Sequence, residues 1–166
     1  MSAPVKSYEE IRKGFLFNEF WGFQKAPTST NFEKYSKALL VIANSDGELA
    51  DTERDFVLGL IAGMGGEPAL IDELRGYAAD EDVHQLLAGD ADVRASARAL
   101  VYDAIRACSA DGVLDPRELA KIYEVADRLG VEGKVVDELQ GIHAEQRRLV
   151  GKLFLTAYPD PAVRPF

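Results

Sequence analysis

Four carboxylates occupy equivalent places in two copies of one sequence pattern, and carboxylates are the side chains that bind hard divalent cations. Asp46 precedes a glycine and is followed seven residues later by Glu53, and Asp111 and Glu118 repeat that spacing. Oxygen ligands of this kind suit Ca²⁺ or Mg²⁺ better than Zn²⁺. If the two copies are related by an approximate two-fold axis, all four acids come to one end of the molecule. The sequence therefore predicts a shared metal site made of Asp46, Glu53, Asp111 and Glu118.

Neither copy is a complete EF-hand, the common calcium-binding loop. With the glycine of each Asp-Gly pair at the sixth position, Glu53 and Glu118 fall at the twelfth, where a glutamate is required. The first position should supply a leading carboxylate, but it is Ile42 in one copy and Ala107 in the other. An independent calcium site in each loop is therefore not expected, and a shared site is the better hypothesis.

The same acids also have a purely structural interpretation. The glutamates fall where the third residue of a helix hydrogen-bonds back to its cap, and an aspartate before a glycine favours a tight turn. Asp46 and Asp111 fit this interpretation less well, because each lies in the last turn of a helix, where the helix dipole disfavours a carboxylate. At this point both roles stay open for the two aspartates, that of a turn residue and that of a binding residue.

The acidic pattern belongs to a longer internal repeat. Ser36–Leu74 aligns with Val101–Leu139 at a constant offset and without a gap, and apolar positions are exchanged for apolar ones. Self-similarity of this kind predicts one duplicated helical unit whose two copies share a core.

Apolar residues follow helical spacing along nearly the whole chain, which predicts an all-α fold of about seven or eight helices in a single domain, residues 1–166. An N-terminal aromatic helix over 8–24 precedes repeat one (36–74), and repeat two (101–139) overlaps a C-terminal helix over 131–157. Thr30 and Glu33 have the form of a capping box, which predicts a helix from about Asn31. Asp115 and Asp51 are the predicted caps of the helices that follow the two Asp-Gly loops.

The first helix carries more large apolar side chains than one helical face can bury. They are Phe15, Leu16, Phe17, Phe20, Trp21 and Phe23. The sequence therefore predicts either a helix buried on both flanks or a surface on which a protein partner or a second copy docks.

Composition argues against several classes of partner. A net charge of -9 and a pI near 4.7 oppose binding to nucleic acid or to an anionic membrane surface. No apolar run approaches the roughly 20 residues of a membrane span, and the start of the chain lacks a signal-peptide core. We therefore expect a cytoplasmic protein without a membrane span. The sequence also shows no Gly-rich phosphate loop, nucleophile elbow or Cys/His pair, so we expect no enzyme.

The segment ALLVIANSDGELADTE, with its weaker echo AIRACSADGVLDPRE, resembles the TerB-like tellurite-resistance proteins. It also resembles the related N-terminal domain of a membrane-anchored DnaJ-type co-chaperone, although this chain has no J-domain signature. The resemblance implies an all-α duplicated fold, no known catalytic reaction, and an acidic metal or partner site. Carried over to this chain, that site falls on Asp46, Glu53, Asp111 and Glu118.

We therefore expect a non-catalytic binding or stress-response module. One alternative is a divalent-cation sensor that uses the two acidic loops, and another is a metal-dependent hydrolase. A closed ion site would favour the sensor, whereas an open coordination position beside a concave pocket would favour the hydrolase.

Overall fold

The computed structural model describes residues 5–24 and 32–164, apart from the side chains of Phe20 and Val163. Their regular elements are all helical, which confirms the all-α class. Nine α-helices lie in these ranges: α1 Tyr8–Trp21, α2 Phe32–Ala43, α3 Asp51–Met64, α4 Pro68–Arg75, α5 Val83–Leu87, α6 Ala91–Ala95, α7 Ala97–Cys108, α8 Pro116–Arg128 and α9 Gly133–Ala157. One short 3₁₀ turn, Asn44–Asp46, lies directly after α2, and another, Pro161–Val163, lies after α9. The count exceeds seven or eight because the segment from Ala91 to Cys108 forms two helices, α6 and α7, with a turn at Ser96 between them.

The helices of the two repeats begin and end at equivalent positions. A shift of 65 residues, the distance from Asp46 to Asp111, carries both ends of α2 onto those of α7 and carries α3 onto α8 to within one residue. Gly47 and Gly112 take the same left-handed backbone conformation, with φ of 95° and 99°. Glycine reaches that region without the steric cost that other residues carry. The repeat in the sequence is thus also a repeat of helices and loops.

The equivalent helices α2 and α7 form the centre of the core. Leu39, Leu40 and Ile42 of α2 are buried, as are Leu100 and Ile105 of α7. α2 packs against α3, α5 and α7, and α7 packs in turn against α8 and α9. The 3₁₀ turn after α2 contacts α8. The Asp-Gly loop of repeat one therefore lies against the helix that follows the Asp-Gly loop of repeat two.

Several helix ends differ from the predicted ones. α1 ends at Trp21 because Gly22 turns into the left-handed region, with φ of 65°. The cap of α3 is Ala50, one residue before the predicted Asp51, whereas Asp115 caps α8 as expected. The predicted capping box that begins at Thr30, and the start of that helix at Asn31, lie outside the described residues.

α1 is covered on one flank only. Phe17 is buried against the core and α1 packs on α3, but Tyr8, Ile11 and Phe15 are exposed on the other flank. The hypothesis that both flanks are buried is therefore wrong. Burial of Phe17 with exposure of Phe15 follows from helix geometry, since residues two apart point to nearly opposite sides.

No helix in the described part of the chain combines the length and the apolar character that a membrane crossing requires.

Candidate functional site

Glu53 and Glu118 are the third residues of α3 and α8, and each folds back onto the cap of its own helix. A carboxylate oxygen of Glu53 accepts a hydrogen bond from the backbone N–H of Ala50 at 2.9 Å, and one of Glu118 accepts from that of Asp115 at 3.0 Å. Both side chains are buried, each only 3% exposed. Their carboxyl groups also lie within hydrogen-bonding reach of each other. The structure thus brings two of the four predicted site residues into direct contact across the repeats.

This contact changes the acidity of both groups. Burial raises the pKa of Glu53, and it raises the pKa of Glu118 to about 8. Two carboxylates in contact repel when both are ionised, so one of them keeps its proton. The pair therefore acts as one unit with a single shared proton.

Asp46 and Asp111 lie close enough for their charges to act on this pair. The negative charges of both aspartates raise the pKa of Glu53, and that of Asp46 also raises the pKa of Glu118. The four predicted residues therefore share one electrostatic environment, as the sequence predicts for loops related by the repeat.

Each aspartate also forms the predicted turn. One carboxylate oxygen of Asp46 accepts a hydrogen bond from the backbone N–H of Glu48 at 2.9 Å, and one of Asp111 accepts from that of Val113 at 2.8 Å. These bonds are turn contacts, as the structural interpretation requires. That role occupies one oxygen of each carboxylate and leaves the second oxygen for other partners.

Arg117 links the two loops and was not predicted as a site residue. Its guanidinium donates to the backbone carbonyl of Asp46 at 2.9 Å and to the second carboxylate oxygen of Asp46 at 3.3 Å. Arg117 is largely exposed, so this ion pair contributes little to stability. In the sequence, its position directly before Glu118 is the feature that could have identified Arg117 as a site residue.

Cys108 lies beside the glutamate pair and is fully buried. Burial, followed by the charges of Glu118 and Glu53, raises the pKa of its thiol. The thiol therefore stays protonated and acts as a small apolar group rather than a nucleophile or a soft metal ligand.

The donor set fits a hard cation in its chemistry, but its present placement does not form a coordination shell. All four side chains offer carboxylate oxygens, which suits Ca²⁺ or Mg²⁺. Yet within the described ranges no three residues of the types His, Cys, Asp and Glu are arranged to hold a metal ion. The hydrogen bonds explain this, because one oxygen of each acid is bound by a backbone N–H and the two glutamates bind each other. A cation would need the second oxygens, with the shared proton displaced.

A second buried polar cluster joins α2 to α7, and sequence reasoning missed it. The hydroxyl of Tyr35 donates to Asp103 at 2.9 Å, and Arg106 donates to the other carboxylate oxygen at 2.9 Å. Asp103 is 1% exposed, and burial raises its pKa despite the opposing effect of Arg106. In the sequence, the feature that could have identified Asp103 is its position on the apolar face of α7, between Leu100 and Ala107.

A cavity of about 510 Å³ lies at α1, α2 and α7, away from the acids. Its wall includes Phe17, Trp21 and Tyr35, and none of the four carboxylates lines it. This cavity does not supply the concave pocket beside the acids that a hydrolase needs.

The chain is similar to a solved structure over nearly its whole length. That structure is a tellurite resistance protein from Nostoc punctiforme PCC 73102, with 30% sequence identity and a TM-score of 0.84. The match covers 98% of this chain and 100% of the other. No model of a protein family matches the chain, and a search of curated proteins gives no significant match. At this identity and coverage, the chain belongs to the TerB-like family of tellurite-resistance proteins.

Proposed function

We propose that this protein is a non-catalytic binding module whose Asp-Gly loops bind a divalent cation, Ca²⁺ or Mg²⁺, through Asp46, Glu53, Asp111 and Glu118. The observation that carries the proposal is the buried contact between Glu53 and Glu118 at equivalent positions of the two repeats. Two buried acids in contact disfavour each other unless a proton or a cation lies between them. The description of the similar protein as a tellurite resistance protein supports a role of this module in a stress response.

Each of the four side chains has one oxygen engaged with the backbone and one that could serve a cation. In the glutamates the second oxygen is the one available for the contact between the repeats, and in Asp46 it accepts from Arg117. Binding of a cation would release the shared proton and weaken that contact with Arg117. Affinity should therefore rise with pH as the proton becomes easier to displace.

Thermal melts with EDTA, Ca²⁺, Mg²⁺ and Zn²⁺ test this proposal. At a hundredfold excess over its dissociation constant, a bound cation stabilises the folded protein by about 2.7 kcal/mol. For a chain of this size that corresponds to a rise in Tm of about 5–10 °C. We expect the rise with Ca²⁺ or Mg²⁺, and we expect it to be larger at pH 8 than at pH 6.

The double variant Asp46→Asn with Asp111→Asn should abolish the rise, because it removes two of the four charges while an amide oxygen can still accept the turn bond. A matched control is Asp92→Asn with Glu138→Gln, which removes the same charge from exposed positions outside the loops. If no ion shifts the Tm of the unmodified protein, or if the loop variant responds as the control does, the loops have a structural role only.

We also propose that the exposed flank of α1 is a protein-contact surface, for a protein partner or a second copy. Its residues Tyr8, Ile11 and Phe15 are named the α1 strip here. They follow the spacing of one helical face and are exposed, although large apolar side chains gain stability when they are covered.

A further inference from the structure

The second half of α9 carries an uncovered apolar face. Gln146 accepts a hydrogen bond from the hydroxyl of Tyr102 in the core, but from Arg147 to Ala157 every side chain except the half-buried Phe154 is exposed. Leu149, Val150 and Leu153 lie on the same side of the helix as Gln146 and are 48%, 63% and 66% exposed. These three residues are named the α9 strip. They continue the face that packs the first half of α9 onto the core.

The surroundings of the α9 strip are basic in an otherwise acidic protein. Arg147 and Lys152 flank it, and no Asp or Glu occurs from 146 to 159, although the chain carries a net charge of -9. Arg148 lies on the opposite side of α9, where it pairs with Glu145 at 3.7 Å. The α9 strip therefore suits an apolar surface with acidic edges.

The α1 strip has one acidic side chain, Glu19, on its own face. Both basic residues of α1 are engaged within the chain, because Arg12 donates to the carbonyl of Ala62 and Lys13 pairs with Glu9 at 2.7 Å. Glu19, which lies on the same helical face as the α1 strip, is exposed. Glu19 therefore supplies a negative charge with which a basic neighbour could pair.

The two strips also match in length. At 1.5 Å per residue, α1 from Tyr8 to Glu19 spans about 16 Å, and α9 from Arg147 to Ala157 spans about 15 Å. Each presents three large apolar side chains over that distance.

We propose that the α9 strip of one copy packs on the α1 strip of a second copy, and the reverse, so that two α1–α9 contacts hold a two-fold dimer. This inference rests on the proposed role of the α1 strip as a protein-contact surface, and it names the partner of that surface. A reciprocal arrangement uses the same patches on both copies, as a closed two-fold dimer requires.

The exposed area supports two contacts rather than one. Tyr8, Ile11 and Phe15 are 81%, 57% and 64% exposed. With about 200 Å² as an upper value for each side chain, the α1 strip exposes roughly 400 Å² and the α9 strip at most roughly 350 Å². A stable interface buries about 800 Å² on each partner. One strip supplies half of that area or less, whereas the two strips of each copy together supply most of it.

A pairing of two α9 strips is disfavoured by charge. It would bring Arg147 and Lys152 of both copies together, whereas an α1–α9 contact sets them beside an α1 strip that carries Glu19. Like charges across an interface suppress such pairings.

Sedimentation of the full chain and disulfide trapping test the dimer together. We expect the unmodified protein to sediment as a dimer at about 50 µM, with an affinity that weakens at high salt. A mixture of the Phe15→Cys and Leu153→Cys variants should form a cross-linked dimer on mild oxidation, whereas neither variant should do so alone. The native Cys108 is buried and does not compete. Leu155→Cys in place of Leu153→Cys is the matched control, since this exposed residue lies on the opposite side of α9.

Other outcomes would overturn the proposal in distinct ways. Cross-linking of the Phe15→Cys variant alone would keep the α1 strip as a contact surface but reject α9 as its partner. Cross-linking of the Leu153→Cys variant alone, or an equal yield with Leu155→Cys, would reject the α1–α9 pairing. A protein that sediments as a monomer would reject the dimer. If that monomer also sediments with phosphatidylglycerol vesicles, the α9 strip would be assigned to a membrane surface. None of these outcomes affects the cation proposal, which the melts test separately.

Discussion

Replacing Asp103 with alanine is expected to lower the free energy of unfolding by about 3 kcal/mol, because it removes a buried carboxylate together with its hydrogen bonds to Tyr35 and Arg106. Asp103 accepts hydrogen bonds from Tyr35 and Arg106, and its side chain is almost fully buried. In the variant, the guanidinium of Arg106 loses its ion pair and the hydroxyl of Tyr35 loses its acceptor. For a chain of 166 residues, that loss corresponds to a fall in Tm of about 6–12 °C. Thermal and urea unfolding followed by circular dichroism measure it.

Two milder variants separate the parts of this cluster. Tyr35→Phe removes one hydrogen bond and should cost about 1 kcal/mol. Asp103→Asn keeps an acceptor but removes the charge, so its cost should lie between those of the other two variants. The exposed substitution Asp92→Ala is the control for loss of an aspartate in this region. A loss below 1 kcal/mol for Asp103→Ala would mean that the cluster does not hold α2 and α7 together.

The helical fold could be predicted because the chain repeats itself. An apolar pattern that recurs without a gap specifies both the helices and their order, and α2 and α7 do begin and end at equivalent residues. The break between α6 and α7 could not be predicted, since α6 has only five residues, too few for a periodic pattern. The cap of α3 was misplaced because Ala50 has no polar side chain to mark it, and the bond from its N–H to Glu53 shows only in three dimensions.

The acids of the candidate site could be predicted, but their chemical state could not. Spacing places Glu53 and Glu118 at equivalent positions, yet only the folded structure shows that the two are buried beside each other. The contact of Arg117 with Asp46 joins residues 71 positions apart, and no local pattern encodes such a pair. Asp103 was missed because a single acid on an apolar helical face gives no sign of the partners that it meets in the folded protein.

The variant Glu118→Gln is expected to be more stable than the unmodified protein at pH 8.5 without divalent cations. The pKa of Glu118 rises from its ordinary value of 4.5 to about 8 on folding. The folded state therefore favours the protonated form, and the stability that this form provides is complete below pH 4.5 and is lost as the pH rises through 8. A shift of this size corresponds to about 3 kcal/mol once the coupling to Glu53 is allowed for.

Glutamine keeps the contacts of the protonated glutamate. Its amide oxygen can accept from the N–H of Asp115, as in a capping box with Gln, and its N–H₂ group can donate to Glu53. At pH 5 the two proteins should therefore have similar stability, and the difference should grow to about 3 kcal/mol at pH 8.5. Urea unfolding across this pH range in EDTA measures the difference, with Glu48→Gln as the control for loss of an exposed acid in the same region.

The result bears directly on the cation proposal, because the energy lost when Glu118 ionises is the energy that a bound cation would restore. In Ca²⁺ or Mg²⁺ at pH 8.5, the unmodified protein should regain stability toward the level of Glu118→Gln, while the variant, with one charge fewer, should gain little. If Glu118→Gln keeps the pH dependence of the unmodified protein, the glutamates do not share a proton. The buried contact would then provide no reason for a cation to bind, and Asp46 and Asp111 would be residues of the two turns alone.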